Sequence, residues 1–304
     1  MLFRSGSEID VLVNLNGYFG IDRTDVFAMR PSPVQVNYLG YPGTMGAGYM
    51  DYIIADRTII PENQQRYYSE QVVYLPDTYQ PNDRKRQPSE MEFTRADLGL
   101  PENAVVFCCF NNAHKITPEM FDIWMRILRG TPESVLWLIE PNSSVRGNLT
   151  KEAARKGVSS NRLVFAPMIK QADHLGRLAF ADLVLDTLPH NAHTTASDAL
   201  WSGVPVLTCL GNTFPGRVAA SLLKAIGLSE LITGSLTNYE ETALRLARDK
   251  ALLAELKAKV IRNRATAPLF DTPLYAKNIE AAYKTMFQRS QAGLKPKGFS
   301  IGPK

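Results

Sequence analysis

The sequence predicts an α/β protein with two parallel sheets, carried by two parts of unequal length. Short apolar runs that are typical of buried strands alternate with helical patterns along most of the 304 residues. The alternation is interrupted at residues 76–89, where three prolines and several charged residues show no hydrophobic periodicity. Strands that alternate with helices favour parallel sheets with helices on both faces. The interruption predicts a linker between two domains.

The first part looks like half a domain, because it has only about 80 residues and begins with a strand almost at once. Its strands are predicted at 11–16, 34–39, 52–55 and 71–75, with a short helix at 23–29.

The second part has the pattern of a complete nucleotide-binding α/β domain. Its strands are predicted at 104–110, 134–139, 163–166, 183–186 and 206–210, and its helices at 94–98, from 118 on, and at 149–156, 171–179, 195–201, 216–226 and 239–262. Thr117 is the predicted N-cap of the helix that starts at Pro118. A last helix beyond Pro268 is expected to pack on the first part, followed by a loose tail from residue 290. The predicted divisions are 1–89, 90–267 and 268–304.

Composition excludes several classes of protein. A net charge of +4, with basic residues spread among acidic ones, argues against a nucleic-acid partner. The three cysteines form neither a disulfide framework nor a CxxC metal site, which fits a reducing compartment. No apolar stretch approaches the length of a membrane span, and the start lacks the apolar core of a signal peptide. We therefore expect a cytoplasmic protein without a membrane partner.

The strongest candidate site is the turn at 186–195, which joins the carboxyl end of a strand to a helix amino terminus. Ligands of open α/β sheets bind at such places, and the free N–H groups and dipole of the helix suit a phosphate. His193, Thr194 and Thr195 stand at that helix start. The alternative is purely structural: one threonine caps the helix and Asp198 completes a capping-box-like pair.

Two further segments carry candidate ligand-binding residues. Lys115 lies in a second strand-to-helix turn, where it could reach a phosphate or could simply be a solvated loop lysine. His174 and Arg177 lie three apart on a helix, where they could stack on a nucleobase or form an ordinary exposed pair. The four histidines are separated by 60, 16 and 3 residues, which is not a zinc-ligand pattern, so no metal is expected.

A glycine-rich segment at 39–48 follows the second strand. Gly40 and its neighbouring glycines allow a close approach of the backbone to a ligand, or make a tight structural turn. If this segment faced the anion site of the other domain, the two would form an interdomain cleft, which is a common place for ligands.

Together these segments resemble the catalytic region of the protein O-linked N-acetylglucosaminyltransferases, glycosyltransferase family 41. The resemblance runs from about residue 9 to about residue 293. It is carried by LGYPGT at 39–44, MDYII at 50–54, VLWL at 135–138, LDT at 185–187, HTT at 193–195 and RVAA at 217–220.

The resemblance implies a glycosyltransferase-B fold of two Rossmann-like lobes and transfer of N-acetylglucosamine (GlcNAc) from UDP-GlcNAc to Ser or Thr of proteins, with inversion and without a metal or other cofactor. It implies catalytic roles for Lys115 at the diphosphate and His193 beside the sugar. The implied donor-binding residues are Leu39, Gly40, Asn112, Lys115, Ile169, Gln171, His174, Arg177, His193, Thr194, Thr195 and Asp198. Among them, His174 and Arg177 would flank the uracil, Asp198 would bind the ribose, and the two threonines would hold the phosphates.

The sequence also departs from the family pattern. Asn112 stands where the family often has Gln, His114 where it often has Tyr, His190 where some members have Cys, and Gln171 replaces a Lys.

The family's first lobe begins well before the residues that match Ile9, and helical repeats precede it. We therefore expect a truncated first lobe, in a fragment or a natural truncation, with impaired transfer and with self-association through uncovered apolar surface. The alternatives are a UDP-sugar-binding module without turnover, a fragment that needs the missing lobe segment, and, least favoured, a sugar-nucleotide epimerase.

Overall fold

The computed structural model describes residues 9–302, which form two compact units. Unit 1 contains the described residues up to Asn82 and those from Asp271 onward, and unit 2 is Asp83–Phe270. The first boundary falls inside the segment that the sequence predicted as a linker.

The strands of the described residues are short, with two to seven residues each. They are β1 (Val11–Asn14), β2 (Val34–Asn37), β3 (Tyr52–Ala55), β4 (Gln71–Tyr74), β5 (Val105–Cys109), β6 (Ser134–Glu140), β7 (Leu163–Pro167), β8 (Leu183–Leu185), β9 (Val206–Cys209), β10 (Ile232–Thr233) and β11 (Phe299–Ser300).

The α-helices connect these strands or follow them. They are α1 (Thr24–Ala28), α2 (Pro118–Gly130), α3 (Ser143–Arg155), α4 (Gln171–Leu178), α5 (Thr194–Trp201), α6 (Val218–Ala225), α7 (Leu236–Arg248), α8 (Lys250–Arg264) and α9 (Thr272–Gln291). Short 3₁₀ turns occur at Glu62–Tyr67, Ala113–Lys115, Ser160–Arg162, Phe214–Gly216, Ser229–Leu231 and Pro268–Phe270.

Unit 1 is built on a five-stranded parallel sheet in the order β1-β2-β3-β4-β11. Every residue of β2 and β3 is buried. Helix α9 belongs to this unit: the Tyr275 hydroxyl donates to Tyr79 O at 2.7 Å and contacts the Tyr38 hydroxyl. The last segment of the chain is therefore part of the fold of unit 1.

The carboxyl-terminal tail, which the sequence predicted to be loose, contributes strand β11. Phe299 and Ser300 pair with Val73 and Tyr74 of β4. Gly298 permits this pairing, since a Cβ there would lie 2.8 Å from Val72 O. The prediction was wrong because a two-residue strand exists only through its partner and has no pattern of its own.

Unit 2 is built on a six-stranded parallel sheet in the order β10-β9-β8-β5-β6-β7. Strands β5 and β8 are neighbours at its centre, with Phe107 opposite Leu183. Trp124 of α2 and Trp137 of β6 are fully buried in the core. In a parallel sheet the carboxyl ends of all strands meet at one edge, so the turns that follow β5 and β8 are brought together there.

The helices of unit 2 follow the sequence prediction where capping signals and hydrophobic periodicity agree. Helix α2 begins at Pro118, and the Thr117 hydroxyl accepts from Met120 N at 3.2 Å, as predicted. The helical region predicted at 239–262 is instead two helices, α7 and α8. The Asp249 side chain separates them because it caps α8 by accepting from Leu252 N at 2.9 Å.

Large apolar side chains are exposed in the segment of unit 1 between β1 and β2. Phe19, Ile21 and Met29 are 72%, 86% and 70% exposed, and β1 forms the edge of its sheet. Self-association through such a surface stays a prediction. Within residues 9–302, no helix is both long and apolar enough to cross a membrane.

Candidate functional site

The candidate site lies at the carboxyl edge of the sheet of unit 2, where the turns after β5 and β8 are joined by hydrogen bonds. Asn111 Nδ2 donates to Thr187 Oγ1 at 2.8 Å, and Lys115 Nζ donates to Asn191 O at 2.9 Å. Thr195 Oγ1 donates to Asn111 Oδ1 at 2.5 Å. The structure therefore brings together the two turns that the sequence identified separately.

Asp186 holds the second turn in shape. Its carboxylate, 1% exposed, accepts from Thr187 N at 2.8 Å, Ala192 N at 2.6 Å and Thr208 Oγ1 at 2.6 Å. Burial raises the pKa of Asp186 to about 6, while these hydrogen bonds and the charge of Lys115 act in the opposite direction. Asp186 is thus the organiser of the turn. The sequence placed it there but gave it no such role.

Lys115 supplies positive charge at the junction of the two turns. Its side chain is half-buried and makes no ion pair with any carboxylate of residues 9–302. Burial lowers the pKa of Lys115, and the nearby charge of Asp186 raises it. A lysine whose ammonium group is held by a backbone carbonyl rather than by a carboxylate keeps its charge available for a bound anion.

The amino terminus of α5 carries the two threonines. Thr194 is exposed at the first helical position, Thr195 follows it, and His193 occupies the N-cap position without a capping hydrogen bond from its side chain. Neither threonine is the N-cap, and Asp198 forms an ion pair with Arg86 instead of completing a capping box. The capping alternative is therefore wrong for this turn, because both threonines lie inside the helix.

His193 lies at the end of the second turn, as the N-cap residue of α5, in a fixed tautomer. Its Nε2 is 3.2 Å from Pro215 O, and because a carbonyl only accepts, Nε2 carries the proton and Nδ1 is the acceptor. Its ring stacks on His190, with centroids 4.9 Å apart. Burial and the charge of Lys115 lower the pKa of His193 to about 3 and that of His190 to about 4. Both rings are neutral at physiological pH.

His174 is half-buried and contacts the buried Arg177, so the two do not form an ordinary exposed pair. The Arg177 guanidinium, 2% exposed, donates to Pro167 O at 2.7 Å and lies 3.0 Å from His174 Nδ1. It also lies 5.0 Å from the centroid of the Phe110 ring. Because a guanidinium only donates, Nδ1 of His174 accepts and its Nε2 carries the proton. Burial, and then the charge of Arg177, lower the pKa of His174 to about 4.

The remaining predicted residues of unit 2 occupy two places. Ile169 is half-buried just before α4, and Gln171 is exposed at the start of that helix, so both lie close in sequence to His174 of α4. Asn112 is exposed, and its side chain accepts from His114 N at 3.5 Å to cap the 3₁₀ turn. Among the described residues, no cluster of three or more His, Cys, Asp or Glu could hold a metal ion.

Leu39 and Gly40 lie in unit 1, directly after β2. A Cβ on Gly40 would lie 1.9 Å from Leu15 O, so the glycine is required by the approach of the protein's own backbone. The close approach is therefore to a distant segment of unit 1, and it gives Gly40 a structural role there. Leu39 has a φ of 76°, which L residues rarely adopt, and such strain is concentrated at functional sites.

Comparison of the whole chain with known proteins shows the family to which it belongs. The chain matches the sequence model described as glycosyl transferase family 41 over residues 4–92 and 85–279. It belongs to this family. It is 39% identical over 300 residues to the probable UDP-N-acetylglucosamine–peptide N-acetylglucosaminyltransferase SEC of Arabidopsis thaliana, covering 97% of this chain and 31% of the plant protein.

Two further proteins with transferase names are similar to this chain. The UDP-N-acetylglucosamine–peptide N-acetylglucosaminyltransferase of Caenorhabditis elegans is 27% identical, with 94% of this chain and 34% of that protein covered. A solved mutant of the O-GlcNAc transferase of Thermobaculum terrenum is 33% identical with a TM-score of 0.82, covering 94% of this chain and 54% of that one. The family 41 chain thus spans about a third of the length of these curated relatives. The predicted glycosyltransferase-B type of α/β fold is confirmed.

The neutral histidines predict how the stability of unit 2 depends on pH. The folded pKa of His193, about 3, lies below the ordinary value of 6.5. Between these values the unfolded chain binds the proton and the folded chain does not, so stability is lost as the pH falls from 6.5. We expect His193→Asn to reduce this loss in urea unfolding at pH 7 and pH 4.5. His114→Asn, at an exposed ring, is the matched control for the substitution. An identical pH dependence in wild type and His193→Asn would contradict the prediction.

Proposed function

We propose that this chain binds UDP-GlcNAc through unit 2 and transfers GlcNAc to Ser or Thr side chains of proteins, with inversion. The observation that carries the proposal is the convergence of Lys115, His193 and the amino terminus of α5 on one edge of the sheet. The names of the family 41 relatives, which are peptide N-acetylglucosaminyltransferases, supply the donor and the acceptor class.

Lys115 and the first turn of α5 bind the diphosphate of the donor. The backbone N–H groups at a helix start point outward, and the helix dipole favours negative charge there. Thr194 is exposed at that position and offers a hydroxyl as well. Lys115 is close enough to the same turn to bond Asn191 O, so its charge and the helix terminus act on one anion.

The nucleoside binds beside α4, where His174 contacts the base. His174 is neutral and donates through Nε2, and Arg177 fixes that tautomer from its buried position behind the ring. Arg177 therefore supports the His174 ring, whereas the family resemblance implied that Arg177 would flank the uracil directly. Ile169 and Gln171 precede His174 on the same segment and complete the base-binding group. Asp198 accepts from a ribose hydroxyl.

Transfer breaks the bond between the anomeric carbon of GlcNAc and the diphosphate, while the acceptor hydroxyl oxygen attacks from the opposite face. The proton of that hydroxyl is released to water or to the departing diphosphate. Negative charge then builds up on the departing UDP. Lys115 and the terminus of α5 stabilise this charge without a metal or other cofactor, because they are already oriented towards it. His193, neutral with Nδ1 as acceptor, is a hydrogen-bond partner for the sugar rather than a cation.

The cytoplasm is the proposed location of the chain. Its three cysteines, Cys108, Cys109 and Cys209, are buried as free thiols, and free thiols persist in a reducing compartment.

The proposal is tested with the purified 304-residue chain in two assays. Isothermal titration measures the binding of UDP, with GDP as the control nucleotide, and radiolabelled UDP-GlcNAc measures transfer to a peptide acceptor. We expect saturable binding of UDP and labelling of the peptide. UDP binding without labelling would favour a binding module without turnover, and a folded, unaggregated sample that does not bind UDP would overturn both functions.

A further inference from the structure

The segment that leads into unit 2 contributes a side chain to α5 that no motif singled out. Arg86 Nη1 forms an ion pair with Asp198 Oδ1, and its Nη2 donates to Ser197 Oγ at 3.3 Å. The side chains of the ion pair are both largely buried, with 12% and 9% of their surface exposed. Arg86 therefore contacts the carboxylate that we assign to the ribose.

Trp201, one turn further along α5, fixes Arg86 in place. The Arg86 guanidinium lies 5.6 Å from the centroid of the indole ring, and Trp201 Nε1 donates to Arg86 O at 3.1 Å. Arg264 lies 5.3 Å from the same ring centroid and donates to Trp201 O. Both the backbone and the side chain of Arg86 are thus held, so its guanidinium has a defined position next to Asp198.

The charge of Asp198 depends on this neighbour. Burial raises the pKa of Asp198, and the charge and hydrogen bond of Arg86 act against that rise. A carboxylate that is 6% exposed is stable in its charged form only when it is paired. Within residues 9–302, the protein engages Oδ1 of Asp198 through Arg86, and no hydrogen bond reaches Oδ2.

We propose that Arg86 is a positioning residue for the ribose of the nucleotide. It keeps Asp198 charged, fixes the plane of the carboxylate through Oδ1, and leaves Oδ2 to accept a hydrogen bond from a ribose hydroxyl. This inference rests on the proposed function, because it requires that a uridine nucleotide binds at α5. Its consequence is specific: Arg86 contributes to affinity only for nucleotides that carry ribose hydroxyls.

The test compares two nucleotides on four forms of the full chain. UDP and 2′,3′-dideoxy-UDP are titrated by calorimetry into wild type, Arg86→Gln, Arg86→Lys and Arg84→Gln. Arg84 is exposed in the same segment, so Arg84→Gln removes the same charge without the contact to Asp198. Thermal unfolding of each variant checks that unit 2 remains folded.

We expect Arg86→Gln to weaken UDP binding about tenfold, as for a lost hydrogen bond to a charged group, and to change the binding of dideoxy-UDP less than about twofold. Arg86→Lys keeps the charge and should recover most of the affinity, and Arg84→Gln should match wild type. Equal weakening for both nucleotides would show a general structural role and overturn the inference. Unchanged UDP binding would show that Arg86 plays no part in nucleotide binding, and tighter binding would show that it blocks Asp198; either result would overturn the inference. If wild type bound dideoxy-UDP as tightly as UDP, the ribose contact and the inference about Arg86 would be overturned, but the proposed function would stand. If wild type bound neither nucleotide, the proposed function itself would be overturned.

Discussion

Replacing Lys115 with Met is expected to reduce GlcNAc transfer about 10²–10³-fold, the size of effect seen when one preorganised donor to developing charge is removed. Met keeps most of the length of the side chain and its apolar stem but removes the ammonium group that bonds Asn191 O. Negative charge on the leaving UDP is larger in the transition state than in the bound donor. We therefore expect kcat to fall much more than UDP affinity, which should weaken only about tenfold.

The measurement is the rate of peptide labelling at saturating UDP-GlcNAc, together with UDP titration of the same sample. Lys151→Met is the matched control, because Lys151 is exposed on α3 in the same unit. The role of Lys115 at the leaving group would be refuted if Lys115→Met lost only UDP affinity and kept kcat. Intact transfer in Lys115→Met at low donor concentration would refute any contact with the diphosphate.

Replacing Asp186 with Ala is expected to lower the free energy of unfolding of unit 2 by about 3–5 kcal/mol. The substitution removes the acceptor for two backbone N–H groups, those of Thr187 and Ala192, in a place that water does not reach. Each buried donor without a partner costs about 1–3 kcal/mol. The same donors shape the turn that carries His193, so UDP affinity should fall as well.

All three tryptophans of the chain, at 124, 137 and 201, lie in unit 2, so urea unfolding followed by tryptophan fluorescence reports on this unit. Thr208→Val is the graded control: it removes only the hydroxyl that donates to Asp186 Oδ2 and should cost about 1 kcal/mol. Asp186→Asn keeps one acceptor oxygen, so its loss of unfolding free energy should lie between those of Asp186→Ala and Thr208→Val. A cost for Asp186→Ala no larger than that for Thr208→Val would show that the turn does not depend on this carboxylate.

The sequence predicted the elements that carry their own signals. Helix α2 was found because Thr117 and Pro118 mark its start, and an apolar stripe follows. Helix α3 was predicted to begin at 149 but begins at Ser143. Its first turns carry little apolar periodicity, and its start depends on the Asn142 side chain, which accepts from Val145 N at 3.0 Å. Capping by Asn is a local signal that could have been read.

In the candidate site too, some residues could be predicted from the sequence and others could not. The sequence identified the turns that carry Lys115 and His193, since polar residues after a strand and before a helix indicate a ligand-binding edge. It did not identify Arg86, which contacts Asp198 across 112 residues of chain. Nothing local distinguishes Arg86 from Arg84 and Lys85 beside it. The signal that separates them is burial, and burial is a property of the folded chain.

The sequence by itself determined the α/β class, the family and the position of the turn that is the candidate anion site, because hydrophobic periodicity and strand-to-helix turns are encoded by residues close together in the chain. Only the tertiary structure decided what these residues do there. It made Arg177 the buried support of His174, gave Asp186 the hydrogen bonds that shape the turn, and set Arg86 against Asp198. Charge state, tautomer and hydrogen-bond partner depend on burial and on neighbours from distant segments, and these exist only once the chain has folded.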